Sequence, residues 1–160
     1  MNSAGISGSL IHPDVRFLNS FRDLITDQSA NGRRRISDPD YDVSDSELIE
    51  HIESLDHTHF WWIVEGEIVG RIRLRDEATG DFYESHGDVG YDMSPRFQNR
   101  GYATAMLKAV IEIARKQNRS HLLVTCNVAN IASRRVLEKN GGSLRDVYDG
   151  DFYRFDFELN

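Results

Sequence analysis

Apolar residues recur at helical spacing in three stretches of the chain. Phe17, Leu18, Phe21, Leu24 and Ile25 form one face of a first helix, which Asn31-Gly32 ends. Leu48, Ile52 and Leu55 make the stripe of a second, whose start near Asp45 is set by the capping box Ser44-x-x-Glu47. Ala103, Met106, Leu107, Val110, Ile111 and Ala114 mark a third. Between them lie runs that read as strands: Ser9 to His12, ended by Pro13, then Phe60 to Val64 and Ile68 to Leu74 around a tight turn at Glu65-Gly66-Glu67, then Asp88 to Met93 and Leu122 to Cys126. A last hairpin, Ser143 to Tyr148 and Phe152 to Leu159, turns at Asp149-Gly150. A further helix runs from about Ile131 to Asn140, with Gly141 supplying the left-handed residue that ends it.

The pattern also assigns faces. Arg71 and Arg73 alternate with Ile68, Gly70, Ile72 and Leu74, which predicts one wet face on that strand. Trp61 and Trp62 read as core, with one of the two free to line a pocket because neighbours on a strand point to opposite faces. Asp76 to His86 reads as an irregular connection, and Phe82 and Tyr83 within it suit a lid over a ligand site. Arg33-Arg34-Arg35 reads as a solvated run, or as a contact to phosphate or an acidic partner. From Asp38 to Asp56 there are eight acidic residues and no Lys or Arg. That segment is either a solvated face or a negative rim that draws in a cation.

Composition narrows the class. With 160 residues, 39% hydrophobic and 28% charged, the chain fits one domain over residues 1–160, with no repeat or linker. No apolar run is long enough to span a membrane, and Met1 to Gly8 shows no signal-peptide pattern. One cysteine, Cys126, fits a reducing cytoplasm and reads as a small buried hydrophobe. A net charge of −7 argues against nucleic acid as a partner. An acidic protein that takes an anionic ligand must gather its positive charge locally, and Arg96, Arg100, Arg134, Arg135 and Lys139 cluster in two segments.

The first of those segments is Gln98-Asn99-Arg100-Gly101-Tyr102-Ala103, between the Asp88–Met93 strand and the third helix. The first amides of a helix lack internal acceptors and carry partial positive charge. Gly101 lets a ligand approach the backbone, so this loop suits a phosphate or pyrophosphate. The second follows the Leu122 strand as Asn130-x-x-Ser133 and then Glu138-Lys139-Asn140-Gly141. Together the two segments resemble the GNAT superfamily of acyl-CoA-dependent N-acetyltransferases: Gln98-x-x-Gly101-x-Ala103, with Pro95 before it, resembles the pyrophosphate loop, and Asn130-x-x-Ser133 the second cofactor segment. The match spans about residues 86–144.

The resemblance implies an α/β (α+β) fold with a mixed, mostly antiparallel sheet that splays near the Asp88–Met93 strand and is flanked by helices. It implies acetyl-CoA as acyl donor and no metal, and the chain has neither Cys/His zinc spacing nor HExxH. The pantetheine arm would pair with main chain near Tyr91 and Met93. The amides of Asn99, Arg100, Gly101, Tyr102, Ala103 and Thr104 would hold the pyrophosphate beside Gln98, and Asn130 and Ser133 would face the cofactor. Asn130 is equally suited to cap its helix. Members of the family often use a carboxylate near the start of the splayed strand as base. Glu84, His86, Asp88 and Asp92 are available there, with Asp88 the first choice and His86 the second. Where many members carry a tyrosine that protonates the leaving thiol, this chain has Leu137, so either another group such as Tyr91 takes that role, or the thiolate leaves unaided, or the chain is catalytically weak. The expected acceptor is a small-molecule or peptide amine, and the acidic segment favours a cationic one. A homodimer through the C-terminal hairpin is a further expectation. The alternative reading is an acyl-CoA-binding sensor without turnover.

Overall fold

In chain order the secondary structure runs β1 (Ser9–Ile11), α1 (Leu18–Ala30), α2 (Asp45–Ser54), β2 (His59–Val64), β3 (Glu67–Leu74) and α3 (Gly80–His86). It continues with β4 (Val89–Met93), α4 (Tyr102–Lys116), β5 (His121–Asn127), α5 (Ile131–Lys139), β6 (Ser143–Tyr148) and β7 (Phe152–Glu158). Short 3-10 turns precede α1, at Val15–Phe17, and follow β4, at Pro95–Phe97. The computed structural model describes residues 6–76 and 79–160, so most of the Met1–Gly8 stretch, and Glu77 and Ala78, lie outside the described residues. The strands form one seven-stranded sheet in the order β1-β2-β3-β4-β5-β7-β6. The pairs β1–β2, β5–β7 and β6–β7 are antiparallel, and β4–β5 is parallel. This is the mixed, mostly antiparallel sheet with flanking helices that the resemblance implied. Two compact units divide the chain, residues 1–71 with 92–102, and residues 72–91 with 103–160.

The first unit is built on an apolar cluster of Phe21, Leu24 and Ile25 from α1, Leu48 and Ile52 from α2, and Trp61, Ile63 and Ile68 from the strands. Ser44 starts α2 as its sequence requires: its hydroxyl accepts from the Glu47 amide at 3.2 Å, and Glu47 Oε2 accepts from the Ser44 amide at 3.3 Å. Both tryptophans are core, Trp61 at 1% and Trp62 at 7% exposure.

Arg71 corrects the expected wet face of β3. It is 6% exposed, and its guanidinium donates to Asp38 Oδ1 at 2.7 Å, to Asp92 Oδ1 and Oδ2 at 3.0 and 2.8 Å, and to Gln28 Oε1 at 2.7 Å. Two carboxylates and an amide offset the desolvation that would otherwise keep an arginine on the surface. Arg35 joins the cluster at 2.6 Å from Asp92, while Arg34 pairs with Asp40 and Arg22 with Asp45. Arg34 and Arg35 of the arginine run therefore have acidic partners within the chain, and Asp38, Asp40 and Asp45 of the acidic segment each hold an arginine. That segment carries less free negative charge than its sequence suggests.

In the second unit, α4 buries Met106, Leu107, Val110, Ile111 and Ala114, the stripe read from the sequence. Strand β7 lies between β5 and β6, and the β6–β7 turn places Asp149 (φ 53°) and Gly150 (φ 73°) in the left-handed region that Asp-Gly tolerates. The stretch expected to be an irregular connection contains a helix instead: α3 spans Gly80–His86 and stops at Gly87. Gly87 has φ 65°, and a Cβ there would lie 2.3 Å from the Leu123 carbonyl oxygen, so glycine is required for the chain to drop from α3 straight into β4. No helix among the described residues is long and apolar enough to cross a membrane.

Candidate active site

The loop before α4 is fixed by its neighbours in the first unit. Asp27 Oδ2 on α1 accepts from the Ser94 hydroxyl at 3.3 Å and from the Arg96 amide at 3.2 Å, and it lies 3.6 Å from the Arg96 guanidinium. Gln28 Nε2 donates to the Met93 carbonyl at 3.5 Å. Asn99 (φ 61°) and Gly101 (φ 82°) both take left-handed conformations, which turns the exposed chain sharply into α4. Arg100 sits over the Phe97 ring at 5.6 Å, and Tyr102 meets that ring edge-on at 6.5 Å. The first amides of α4 have no acceptor within the helix. Ile6 Cδ1 rests above Gly101, 2.6 Å from where a Cβ would stand, but Ile6 is 43% exposed and is the flexible end of a side chain.

The second unit contains an open cavity of ≈ 220 Å³. It arises because β4 and β5 share a single paired position, Val89 with Val124, and then part. Gly90 and Tyr91 line one wall, and Thr125, Cys126 and Asn127 the other. The Thr125 hydroxyl donates to the Ser85 carbonyl on α3 at 2.8 Å. Cys126, one residue on, points to the opposite face. Ser85 and His86 of α3 and Asn130 and Ser133 of α5 also line the cavity. Phe152 and Arg75 complete the lining.

On the α5 side, Asn130 caps its helix by accepting from the Ser133 amide at 3.0 Å. That leaves the Ser133 hydroxyl free to meet the Tyr91 hydroxyl at 2.6 Å. Burial pushes the Tyr91 phenol up to about 12, outweighing the hydrogen bond to Ser133. Burial likewise raises the Cys126 thiol, which favours an inert cysteine over a nucleophile. Asn140 ties the two motif segments together, since its Nδ2 donates to the Thr104 carbonyl of α4 at 3.2 Å and to the Val136 carbonyl at 3.0 Å. Leu137 is fully buried.

On the α3 side, His86 stacks on Phe82 with ring centres 4.4 Å apart, and Phe152 lies tilted at 6.1 Å. Its Nδ1 is 2.7 Å from the Ser85 hydroxyl. Arg75 Nη1 donates to the carbonyls of His86 and Gly87 at 3.2 and 3.1 Å and so fastens the end of α3. Gly90 leaves room for this, as a Cβ there would stand 2.9 Å from Arg75 Nη2. Asp88, the first-choice base, is placed differently: its Oδ2 accepts from the Leu123 amide at 2.7 Å, and it is not among the cavity-lining residues.

Of the residues singled out in the sequence, His86, Tyr91, Asn130 and Ser133 therefore meet around one cavity. The loop residues Gln98 to Thr104 form the turn and first helical positions expected of them. Arg75, Ser85, Thr125 and Phe152 were not singled out. They carry no motif, and Arg75 and Phe152 are far from it in the chain. Among the described residues no group of three or more His, Cys, Asp or Glu side chains could hold a metal ion.

A family profile described as an acetyltransferase (GNAT) domain matches residues 21–143. The uncharacterized N-acetyltransferase YnaD of Bacillus subtilis (strain 168) is 35% identical over 65 residues, which is 38% of this chain and 38% of that protein's length. Among solved structures, an acetyltransferase (GNAT family) from Bacillus anthracis superposes with a TM-score of 0.72 at 17% identity, covering 96% of this chain and 98% of that one. RimL, a ribosomal L7/L12 α-N-protein acetyltransferase solved with coenzyme A, gives 0.70 at 17% identity, with 97% and 96% covered. MccE, a microcin C7 self-immunity acetyltransferase solved with acetyl-CoA and AMP, gives 0.70 at 15%, with 96% and 93% covered. These structural likenesses carry the fold, and the family profile spans most of the chain. With the strand–loop–helix and the parted strands in place, this chain belongs to the GNAT family of acetyltransferases.

Proposed function

We propose that this protein moves the acetyl group of acetyl-CoA onto a primary amine by direct attack, with both substrates bound together. The observation that carries the reading is the open cavity where β4 and β5 part, lined by polar groups of both α3 and α5. The donor follows from the family and from the coenzyme A and acetyl-CoA in the RimL and MccE structures. In this reading the amides of Asn99 to Thr104 hold the pyrophosphate beside Gln98 and Arg100. Main chain at Tyr91 and Met93, with Asn130 and Ser133, lines the path of the arm. The bound thioester supplies an activated acyl group.

The remaining chemistry belongs to the protein. An alkyl ammonium titrates near ~10 and has no lone pair until it loses a proton. His86 stands on the α3 side of the cavity and takes that proton, while Asp88 holds the start of β4 against β5. Tyr91 lies on the other side. Its phenol, near 12, is a weaker acid than a thiol, which titrates near ~8.5. Tyr91 therefore keeps its proton and donates a hydrogen bond to the sulfur as negative charge gathers there. The new N–C bond forms as the C–S bond breaks, and the second proton that the nitrogen gives up ends on the departing coenzyme A sulfur. This assigns Tyr91 the role for which the chain lacks a tyrosine at Leu137, as a hydrogen-bond donor rather than a full acid.

The test is thiol release from acetyl-CoA across a panel of neutral, anionic and cationic primary amines, beside calorimetry of coenzyme A binding. Amine-dependent release is expected. Tight cofactor binding with no release for any amine would overturn catalysis and leave the sensor reading.

A further inference from the structure

We propose that Ser85 is a positioning residue that fixes the tautomer of His86. The inference rests on the reading of His86 as the base and adds what makes its ring ready. The Ser85 hydroxyl has one proton and three neighbours, two carbonyl oxygens and a ring nitrogen. Its Oγ lies 2.9 Å from the Asp81 carbonyl, with the Phe82 carbonyl at 3.3 Å, and 2.7 Å from His86 Nδ1. A carbonyl oxygen can only accept, so the hydroxyl proton goes to the α3 backbone. Oγ must then accept, and the group that gives it a proton is Nδ1–H. The opposite arrangement, with the hydroxyl donating to Nδ1, would leave two oxygens 2.9 Å apart with no proton between them. Only the first satisfies both sides of the hydroxyl, its one proton directed at the Asp81 carbonyl with the more distant Phe82 carbonyl beside it, and its lone pair taken by Nδ1–H.

A neutral imidazole with its proton on Nδ1 carries its lone pair on Nε2. The serine thus turns a helix carbonyl into an orienting group for the ring, as a carboxylate or backbone carbonyl does for other histidine bases. The ring is also held from turning: Phe82 stacks flat on it, with an interplanar angle of 3°, and Arg75 lies 5.0 Å from the Phe82 ring. Arg75 also grips the His86 and Gly87 carbonyls, so the backbone under the ring is fixed as well.

The test combines nitrogen-detected NMR of the full chain labelled in histidine with steady-state kinetics. In the unsubstituted protein the neutral His86 ring should show Nδ1 protonated and Nε2 bare. Ser85→Ala should let the ring pass to the Nε2–H form and lower kcat by about tenfold or more, a part of what a general base contributes, with KM for acetyl-CoA unchanged. Ser85→Thr, which keeps the hydroxyl, should restore both the tautomer and the rate. A bare Nδ1 in the unsubstituted protein, or Ser85→Ala with unchanged kcat, would overturn the proposal. His86→Gln separates it from the reading beneath. If that variant keeps full turnover, His86 is not the base, whereas loss of turnover in His86→Gln alone, with Ser85→Ala unaffected, removes only the role of Ser85.

Discussion

Replacing Arg71 with methionine should cost about 3–5 kcal/mol of folding stability, the usual penalty for removing one member of a buried ion pair. The structure says why the figure is not smaller. Asp38 is 6% exposed and loses its guanidinium partner. Asp92 loses two bonds and keeps Arg35 at 2.6 Å, and Gln28 loses its acceptor role. A domain of this size is commonly stable by only about 5–15 kcal/mol, so the variant should be visibly weakened but folded. Urea unfolding at neutral pH reads the loss, and the double variant Arg71→Met, Asp38→Leu should recover much of it by removing the stranded charge. The pH dependence is a second check. Burial pushes the Asp92 carboxyl up, but the charges of Arg71 and Arg35 and their hydrogen bonds outweigh it and hold the group below its ordinary value. A depressed carboxylate adds stability above its unfolded value, near ~4, and that stability is lost as pH falls through the folded value. With Arg71 gone the depression shrinks, so the gap between variant and parent should narrow on acidification below about pH 4. A loss under about 1 kcal/mol at pH 7, or a gap that widens in acid, would refute the account of the cluster, since surface pairs of that worth are exposed ones.

The elements that were legible in the sequence are those whose cause is local. Ser44 and Glu47 are three residues apart, Asp149 and Gly150 are adjacent, Gly141 (φ 85°) ends α5 by its own conformation, and the α4 stripe repeats within one helix. Arg71 was not legible because its burial is decided elsewhere. Its partners Asp92, Asp38 and Gln28 lie 21, 33 and 43 residues away, and an arginine alternating with isoleucines looks like a wet face until they are known. Helix α3 was hidden by its length of 7 residues and by the lack of a side-chain cap at Thr79. For the candidate site the motif located the loop and α5. The wall opposite was written into adjacent residues, Ser85 and His86, whose meaning depends on strands β5 and β7 placing Thr125 and Phe152 around them. Asn130 and Ser133 were legible as a cap, which the Ser133 amide serves, whereas the contact of the Ser133 hydroxyl with Tyr91, 42 residues away, was not.

Tyr91→Phe should lower kcat about 10–100-fold, the worth of one hydrogen bond to a charged group, and leave acetyl-CoA affinity intact; an equal loss in affinity would place Tyr91 in binding instead. Leu137→Tyr should not raise turnover, because the site is fully buried and overpacking costs about 1–3 kcal/mol; a rate gain above about tenfold would show that the missing phenol limits the reaction. Gly101→Asp should abolish coenzyme A binding in calorimetry, while Gly101→Asn, which tolerates the same φ without the charge, should weaken it less; equal losses would assign the effect to shape alone. The last prediction decides between two candidate bases. Asn at position 88 still offers a carbonyl oxygen to the Leu123 amide, so Asp88→Asn should keep the β4–β5 junction and retain turnover within about threefold, because the neutral hydrogen bond it preserves is worth only about 1 kcal/mol. His86→Gln removes the ring on the cavity and should cost about 10²–10⁴-fold in kcat, the range a general base supplies. The two positions are separated by one residue yet face different work, the carboxylate turned to β5 and the imidazole lining the gap. If the asparagine variant were the dead one and the glutamine variant the active one, proton removal would belong to Asp88, and the ring on α3 would be part of the acceptor wall.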